Sequence, residues 1–420
     1  MTLQTDRSLD DWLRLQESIH PKSIELGLDR VRRVAARLDL LRAVPFTVTI
    51  AGTNGKGSSA TLTADIYRAA GYRVGLYTSP HVLRYNERVQ IDGQAVADGA
   101  LCAAFEAIDA ARGDDTLTYF EFGTLAALWL FRAAHVEVQV LEVGLGGRLD
   151  AVNIVNADLA LLTNVGLDHQ DWLGDTRDEI GREKAGIFRA RRPAVIVDPE
   201  PPASVLDVAE RLETPTLRLG RDFEYRIGPG RSWSWRGGNE WWTQLPPPAL
   251  AGPLQYRNAA GVFALIHAGQ AQRPVRRDAF ERALQGMRLR GRCESYRGVL
   301  LDVAHNAEAA QAFASFLADQ PSPRALVLGM LADKPAETVA TTLAPVVDQL
   351  YTVGLSGPRG LTAEALQERL AATGVAAQAC DNMESALREA RQAVGSAGCV
   401  AVTGSFLTVA AAINELDAHE

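Results

Sequence analysis

The chain has 420 residues, 47% of them hydrophobic and 22% charged, with a formal net charge of −8. That length exceeds what one hydrophobic core holds and implies two or three domains. The acidic balance argues against broad nucleic-acid binding and leaves any anionic substrate to local positive groups. No apolar run is long enough to span a bilayer, residues 1–6 lack a basic-then-apolar leader, and Cys102, Cys293, Cys380 and Cys399 are scattered without a C-x-x-C pair. A cytoplasmic protein with reduced thiols and no membrane association is the expectation, with a monomer as its default state.

Along the chain, a helical stretch over 9–40 precedes a β-branched strand at 46–51. That strand runs into Gly52-Thr-Asn-Gly-Lys-Gly-Ser58, and a helical pattern begins at Lys56 and closes at Gly71. Glycines let backbone N–H groups close around phosphate oxygens, and the following helix turns its positive end toward them. Lys56 supplies a point charge for the β/γ-phosphates, and Ser58 or Ser59 a hydroxyl for Mg²⁺ or phosphate. The loop departs from G-x-x-x-x-G-K-[ST]: Ile50 stands where the first glycine belongs, and Gly57 separates the lysine from the serine. Nucleotide phosphate binding explains this loop better than an ordinary strand-to-helix turn does.

Strand 73–77, helices 98–112 and 121–134, strand 136–143, strand 159–164, helix 176–189 and strand 194–197 follow. Such alternation builds a mostly parallel sheet between helices, with ligands gathering at the carboxyl ends of its strands. The strand ending in Glu142 runs into Val143-Gly-Leu-Gly-Gly-Arg148, which places an acid beside the P-loop where it could hold Mg²⁺. By itself Glu142 is equally a capping or salt-bridging group. In Asn164-Val-Gly-Leu-Asp-His169, Asp168 and His169 fall on the same sheet edge. Lys184, flanked by Arg182 and Glu183, reads from its neighbours alone as part of a solvated charged face.

Residues 231–242 alternate aromatic and polar side chains around Gly237-Gly238-Asn239, which reads as a hairpin. Its four tryptophans are assigned to packing rather than to base stacking, because basic residues are too few to follow a phosphate backbone. A boundary falls near 286–293. Beyond it strand 299–303, helix 307–317, strand 325–328, helix 336–343, strand 349–353, helices 363–371 and 383–394 and strand 399–402 form a second α/β unit without its own phosphate loop. The expected architecture is α/β: a P-loop parallel-sheet ATPase domain with a small antiparallel sheet (1–292), then a second, Rossmann-like α/β domain (293–420). The two are expected to close around a common site.

Gly52-Thr-Asn-Gly-Lys-Gly-Ser58, Thr78-Ser-Pro-His81, Glu142-Val-Gly-Leu-Gly-Gly-Arg-Leu-Asp150, Leu167-Asp-His169, Arg182-Glu-Lys-Ala-Gly186, Gly291-Arg292, Asp302-Val-Ala-His-Asn306 and Gly404-Ser-Phe406 occur in that order. The ordered set resembles the folylpolyglutamate synthase/dihydrofolate synthase family of the Mur-ligase superfamily, from residue 9 to the C-terminal helix. Leu117-Thr-Tyr-Phe-Glu-Phe-Gly-Thr124 looks most like the bacterial bifunctional members.

The resemblance implies an ATP-dependent ligase that adds L-glutamate to dihydropteroate and to reduced folates through an acyl phosphate. It implies ATP contacts at Gly52, Thr53, Asn54, Gly55, Lys56, Gly57, Ser58, Asn258, Arg292 and Asp302. Ser79, Glu142 and His169 match Mg²⁺ ligands, two metals are expected, and Lys184 matches a lysine carboxylated on its side-chain nitrogen, which reverses the charged-face reading. Lys56, Lys184, His305 and Ser405 match positions in the chemistry, and Thr118, Tyr119, Phe120, Glu121, Leu149, Asp150 and Ala151 match pterin-contacting segments. The family's His-Asn-Pro-His is His305-Asn-Ala-Glu308 here, and its Gly-Ser-Phe-His ends in Leu407, which leaves the local loop shape and the amino-acid pocket open. A monofunctional polyglutamate synthase, a ligase for a cell-wall nucleotide precursor and a P-loop binding module without ligase chemistry are the rival readings.

Overall fold

The computed structural model describes residues 7–22 and 24–418, so the expectation made for residues 1–6 lies outside the described residues. The backbone separates into two compact units. The first runs to Pro248 and takes in Tyr256–Met287; the second takes Ala249–Gln255 and everything from Arg288.

The first unit is built on eight strands: β1 (Phe46–Ala51), β2 (Val74–Tyr77), β3 (Val89–Ile91), β4 (Gln94–Ala95), β5 (Val138–Glu142), β6 (Leu159–Leu162), β7 (Ala194–Ile196) and β8 (Thr216–Arg218). Their order is β4-β3-β2-β5-β1-β6-β7-β8. Pairing is parallel from β2 to β8 and antiparallel at the β3 and β4 edge. Every residue of β1 is buried, as befits a central strand covered by helices on both faces. Its register with β5 sets Ile50 level with Glu142, so the acid and the start of the glycine loop leave the sheet at the same edge.

The aromatic segment forms the expected hairpin, β10 (Trp233–Gly237) and β11 (Glu240–Leu245), extended by β9 (Phe223–Ile227) into a three-stranded antiparallel sheet. Trp233, Trp235 and Trp242 are buried while Trp241 is 72% exposed. The indole of Trp235 donates to the Ala260 carbonyl at 3.1 Å, and Trp242 meets Phe280 edge-on with centroids 4.9 Å apart. Packing, then, occupies three of the four tryptophans.

In the second unit six strands, β12 (Glu294–Tyr296), β13 (Val299–Leu301), β14 (Arg324–Leu328), β15 (Gln349–Val353), β16 (Gln378–Cys380) and β17 (Cys399–Thr403), take the order β12-β13-β17-β14-β15-β16. All are parallel except β12. Residues 288–292, placed in the first domain by sequence, cluster with this unit. The reason is local: Gly291 N–H donates to Glu294, Val303 N–H to the Gly291 carbonyl and Cys293 N–H to Asp302. Among the described residues no helix is long and apolar enough to cross a membrane.

Candidate active site

The glycine loop is held to the loop after β6 by an unbroken series of hydrogen bonds. Thr53 N–H donates to the Asn164 carbonyl at 3.0 Å, and Asn54 N–H donates to Asn164 Oδ1 at 2.8 Å. Thr163 Oγ1 donates to the Asn54 carbonyl at 2.6 Å, and Gly166 N–H to Thr53 Oγ1 at 2.9 Å. Side chains are excluded from two turns of this loop. A Cβ at Gly52 (φ +152°) would lie 1.7 Å from Thr163 Oγ1, and one at Gly55 (φ +82°) 2.7 Å from Asn258 Oδ1. Gly55 caps the helix Lys56–Ala69, whose first-turn N–H groups carry the positive end of its dipole. Asn258, buried on the helix Leu254–Ala268, thereby sits against the loop it was expected to join.

Glu142 is buried beside the start of the helix Lys56–Ala69. Both of its carboxylate oxygens lie 3.6 Å from where a Gly57 Cβ would be, and Oε2 accepts the Ser79 N–H at 3.0 Å. Ser58 Oγ, in the helix's first turn, is buried without a hydrogen-bond partner. A buried carboxylate with the Ser79 backbone at its side, and an unpartnered hydroxyl on the adjacent helix turn, are oxygen donors suited to a hard divalent cation.

Lys56 Nζ donates to the carbonyls of Gly52 and Thr53, each at 3.1 Å, and Lys184 Nζ donates to the same Gly52 carbonyl at 3.0 Å. Lys184 ends the helix Arg177–Lys184 and is buried, so the charged face suggested by its neighbours is not where it lies. Burial, reinforced by the Lys56 charge, pulls its pKa down to about 7 against the pull of Asp168 and Asp150. His169 is exposed, takes a left-handed backbone (φ 54°) before the short helix Gln170–Leu173, and places Nε2 3.9 Å from Asp168 Oδ1. No three His, Cys, Asp or Glu gather around one point among the described residues. The expected metal set holds only two such residues, its other members being Ser79 and Lys184.

The loop 143–148 docks on the Lys184 helix. Arg148 N–H donates to the Glu183 carbonyl at 2.8 Å, and a Cβ at Gly147 would stand 2.8 Å from the Lys184 carbonyl. Just beyond, Asp150 Oδ2 accepts the Leu145 N–H at 2.8 Å and Oδ1 the Val152 N–H at 3.0 Å, capping the turn Ala151–Ile154. Thr118 and Glu121 form a reciprocal cap on the helix Tyr119–Ala133. Glu121 also accepts from Arg30 Nε at 2.9 Å, and its Oε1 is buried without a partner. Phe120 covers Gly144, and Tyr119 meets Tyr85 edge-on.

The segment 25–30 joins this pterin-assigned group, with Gly27 N–H donating to the Leu149 carbonyl at 3.4 Å and Arg30 paired to both Glu25 and Glu121. Sequence reasoning missed it. Glu25 precedes the helix Asp29–Arg37, whose four arginines give Arg30 no distinction in the sequence, so no local signal marked the pair.

In the second unit the assigned residues stand on loops at the carboxyl ends of the parallel strands. Asp302, after β13, accepts the N–H groups of Cys293 and Ala304 at 2.9 Å each, and burial raises its pKa. The Arg292 guanidinium lies 5.3 Å from the Phe406 ring centroid. His305 Nδ1 is 2.9 Å from the Val303 carbonyl. Ser405, after β17, is buried and accepts the Thr408 N–H at 3.0 Å, so in this structure its hydroxyl caps the C-terminal helix.

A P-loop with a buried acid and a buried lysine on a parallel sheet, followed by a second α/β unit, defines the Mur-ligase class. Residues 50–222 match the family described as Mur ligase, middle domain, and residues 287–406 that described as Mur ligase, glutamate ligase domain. The dihydrofolate synthase/folylpolyglutamate synthase of Escherichia coli (strain K12) is 43% identical over 422 residues, covering 100% of this chain and 98% of that one. The solved E. coli FolC in complex with DHPP and ADP superposes with a TM-score of 0.94 at 42% identity, covering all of both chains. A bifunctional folylpolyglutamate synthase/dihydrofolate synthase solved with Mn, AMPPNP and L-glutamate gives 0.91 at 43% identity, over 99% of this chain and 100% of its own. The chain belongs to the dihydrofolate synthase/folylpolyglutamate synthase family.

Proposed function

We propose that this chain is an ATP-dependent carboxylate–amine ligase that adds L-glutamate to dihydropteroate, giving dihydrofolate, and to reduced folates, giving folylpolyglutamates. The observation that carries this reading is the convergence of Lys56, Lys184 and the Glu142-bearing strand end on one glycine loop, in a chain alike over its whole length to enzymes so named.

A carboxylate is a poor acylating agent because its leaving oxygen would depart as oxide. Transfer of the γ-phosphoryl group of ATP to that oxygen yields an acyl phosphate and ADP. The amino group of glutamate attacks the acyl carbon, the tetrahedral intermediate expels phosphate, and an amide remains. The amides of Gly55–Ser58 and the Lys56 ammonium neutralise charge on the transferring phosphoryl group, and Lys56 acts as a charge rather than a base. Ser79, Glu142 and His169 are the residues assigned to a divalent cation, with Ser58 close by and a second cation assigned to carboxylated Lys184. Such cations supply charge neutralisation between the phosphates and the acyl carboxylate.

Carboxylation of Lys184 answers an electrostatic problem. Two amines share the Gly52 carbonyl, one of them buried, and conversion of the Lys184 ammonium to a carbamate, which takes up CO₂ at Nζ and releases two protons, replaces a repulsion with an attraction to Lys56. Thr118, Tyr119, Phe120, Glu121, Leu149, Asp150 and Ala151 are assigned to the pterin side. Asn258, Arg292 and Asp302 are assigned to ATP, and His305 and Ser405 to the neighbourhood of the nucleotide and acyl phosphate.

The test is phosphate release from ATP with Mg²⁺ and glutamate, adding dihydropteroate or tetrahydrofolate separately. Release with each is expected. Release with tetrahydrofolate alone reduces the function to folylpolyglutamate synthase, and release with neither refutes the proposal.

A further inference from the structure

One buried carboxylate in the first unit has no part in the chemistry above. Asp198 follows β7 and is 5% exposed. Its Oδ2 accepts the Val165 N–H at 2.8 Å and Arg177 Nη2 at 3.1 Å, while Oδ1 accepts the Glu200 N–H at 3.0 Å. Arg177 closes the arrangement, with Nε donating to the Val165 carbonyl at 2.8 Å and Nη2 to the Glu200 carbonyl at 3.0 Å. Both backbone polar groups of Val165 are therefore held by a single ion pair.

Its place matters because three elements meet there. Val165 lies four residues before His169, Arg177 is the first residue of the helix that ends in Lys184, and Asp198 fixes both to the end of β7. One residue further along the loop, Gly166 is held by the Thr53 hydroxyl, which donates to its carbonyl at 3.2 Å and accepts its N–H. The loop leading to Asp168 and His169 is thus clamped by the ion pair at Val165 and by the P-loop at Gly166.

We infer that Asp198 and Arg177 are positioning residues that set divalent-cation affinity by fixing the His169 loop and the start of the Lys184 helix against the P-loop. The inference rests on the assignment of His169 and Lys184 to the cation side. Residues outside the ligand shell act in this way by fixing ligand orientation, and their loss typically costs about 10–100-fold in metal affinity.

The experiment measures Mn²⁺ binding by electron paramagnetic resonance to the ADP-loaded protein, in wild type, Arg177→Lys, Asp198→Asn, the double variant and His169→Ala. Arg177→Lys keeps the charge at a side chain that is 44% exposed and so preserves folding, but one ammonium cannot reproduce the fork across Val165, Asp198 and Glu200. The expected result is Mn²⁺ affinity weakened about 10-fold in each single clamp variant, with metal-free ADP affinity unchanged. The double variant is expected to be no weaker than either single one, because the two residues act as a unit. A general loosening would lower both affinities and so overturn the inference. Normal Mn²⁺ affinity in Arg177→Lys beside a weakened His169→Ala would overturn the clamp alone. Normal affinity in His169→Ala would remove the assignment beneath it, and the clamp with it.

Discussion

Gly57→Ala separates the stability of the P-loop helix from its use. Gly57 is the second residue of the helix Lys56–Ala69, with no positive φ to oppose a side chain. Replacing a helical glycine by alanine typically gains about 0.5–1 kcal/mol. For a unit of this size that is a rise in Tm of about 1–3 °C. The new methyl carbon would stand 3.6 Å from both carboxylate oxygens of Glu142, which is ordinary contact and causes no clash. It would nonetheless cover the face of that carboxylate turned toward the helix. Mg²⁺ needs a near-octahedral shell at about 2.0–2.1 Å from its oxygens, and that shell and the methyl compete for one space.

The expected variant is slightly more stable and at least about 10-fold weaker in Mg²⁺-dependent phosphate release, with part of the loss recovered at high Mg²⁺. Calorimetry and a phosphate-release titration against Mg²⁺ read the two effects. Gly55→Ala is the contrast: a left-handed alanine costs about 1–2 kcal/mol and here also meets Asn258, so stability and activity fall together. Wild-type Mg²⁺ dependence in Gly57→Ala would show that no cation uses that face, and a fall in Tm would refute the helix argument.

Trp235→Ala should cost about 3–5 kcal/mol in urea unfolding, since the side chain is 1% exposed, whereas Trp241→Ala should stay within about 0.5 kcal/mol. Equal effects would contradict the assignment of the tryptophans to packing. Asp150 gives a pH signature: burial raises its pKa from 3.8 to about 7, so between those values the unfolded carboxyl is ionised while the folded one keeps its proton. Its contribution is therefore complete below pH 3.8 and is lost as pH rises through 7, so that stability falls with pH between them. Asp150→Asn should flatten that slope between pH 5 and 7, and an unchanged slope would show that Asp150 does not titrate there. Lys184 is expected to give a carbamate carbon resonance in protein equilibrated with ¹³C-bicarbonate, absent in Lys184→Ala; identical spectra would exclude carboxylation.

What sequence could and could not convey follows from the physics of each element. The strands 46–51 and 138–142 are readable because β-branched and apolar residues dominate them, Thr47, Thr49 and Gln139 being buried polar exceptions. The hairpin is readable because the inner face of its first strand takes every second residue. The helix Leu254–Ala268, which carries Asn258, is buried almost all round, so it has no polar face to reveal its period. The edge strands β3 and β4 are only three and two residues long, too short for any pattern.

Lys184 shows how a buried residue can be misread from its neighbours. Arg182 and Glu183 suggest a solvated face, yet Lys184 lies one turn beyond Ile180, and Ile180 is fully buried. Spacing of i, i+4 puts both on one face, so the helix period already contradicted the charged-face reading. The clamp on Val165 is a harder case. Its members at 165, 177 and 198 lie on a loop, a helix start and a strand end, and only the parallel crossovers between β6 and β7 bring them together. Motifs contiguous in the chain reveal the groups assigned to phosphate. The groups that hold those motifs in register are set by sheet order, which no local pattern encodes.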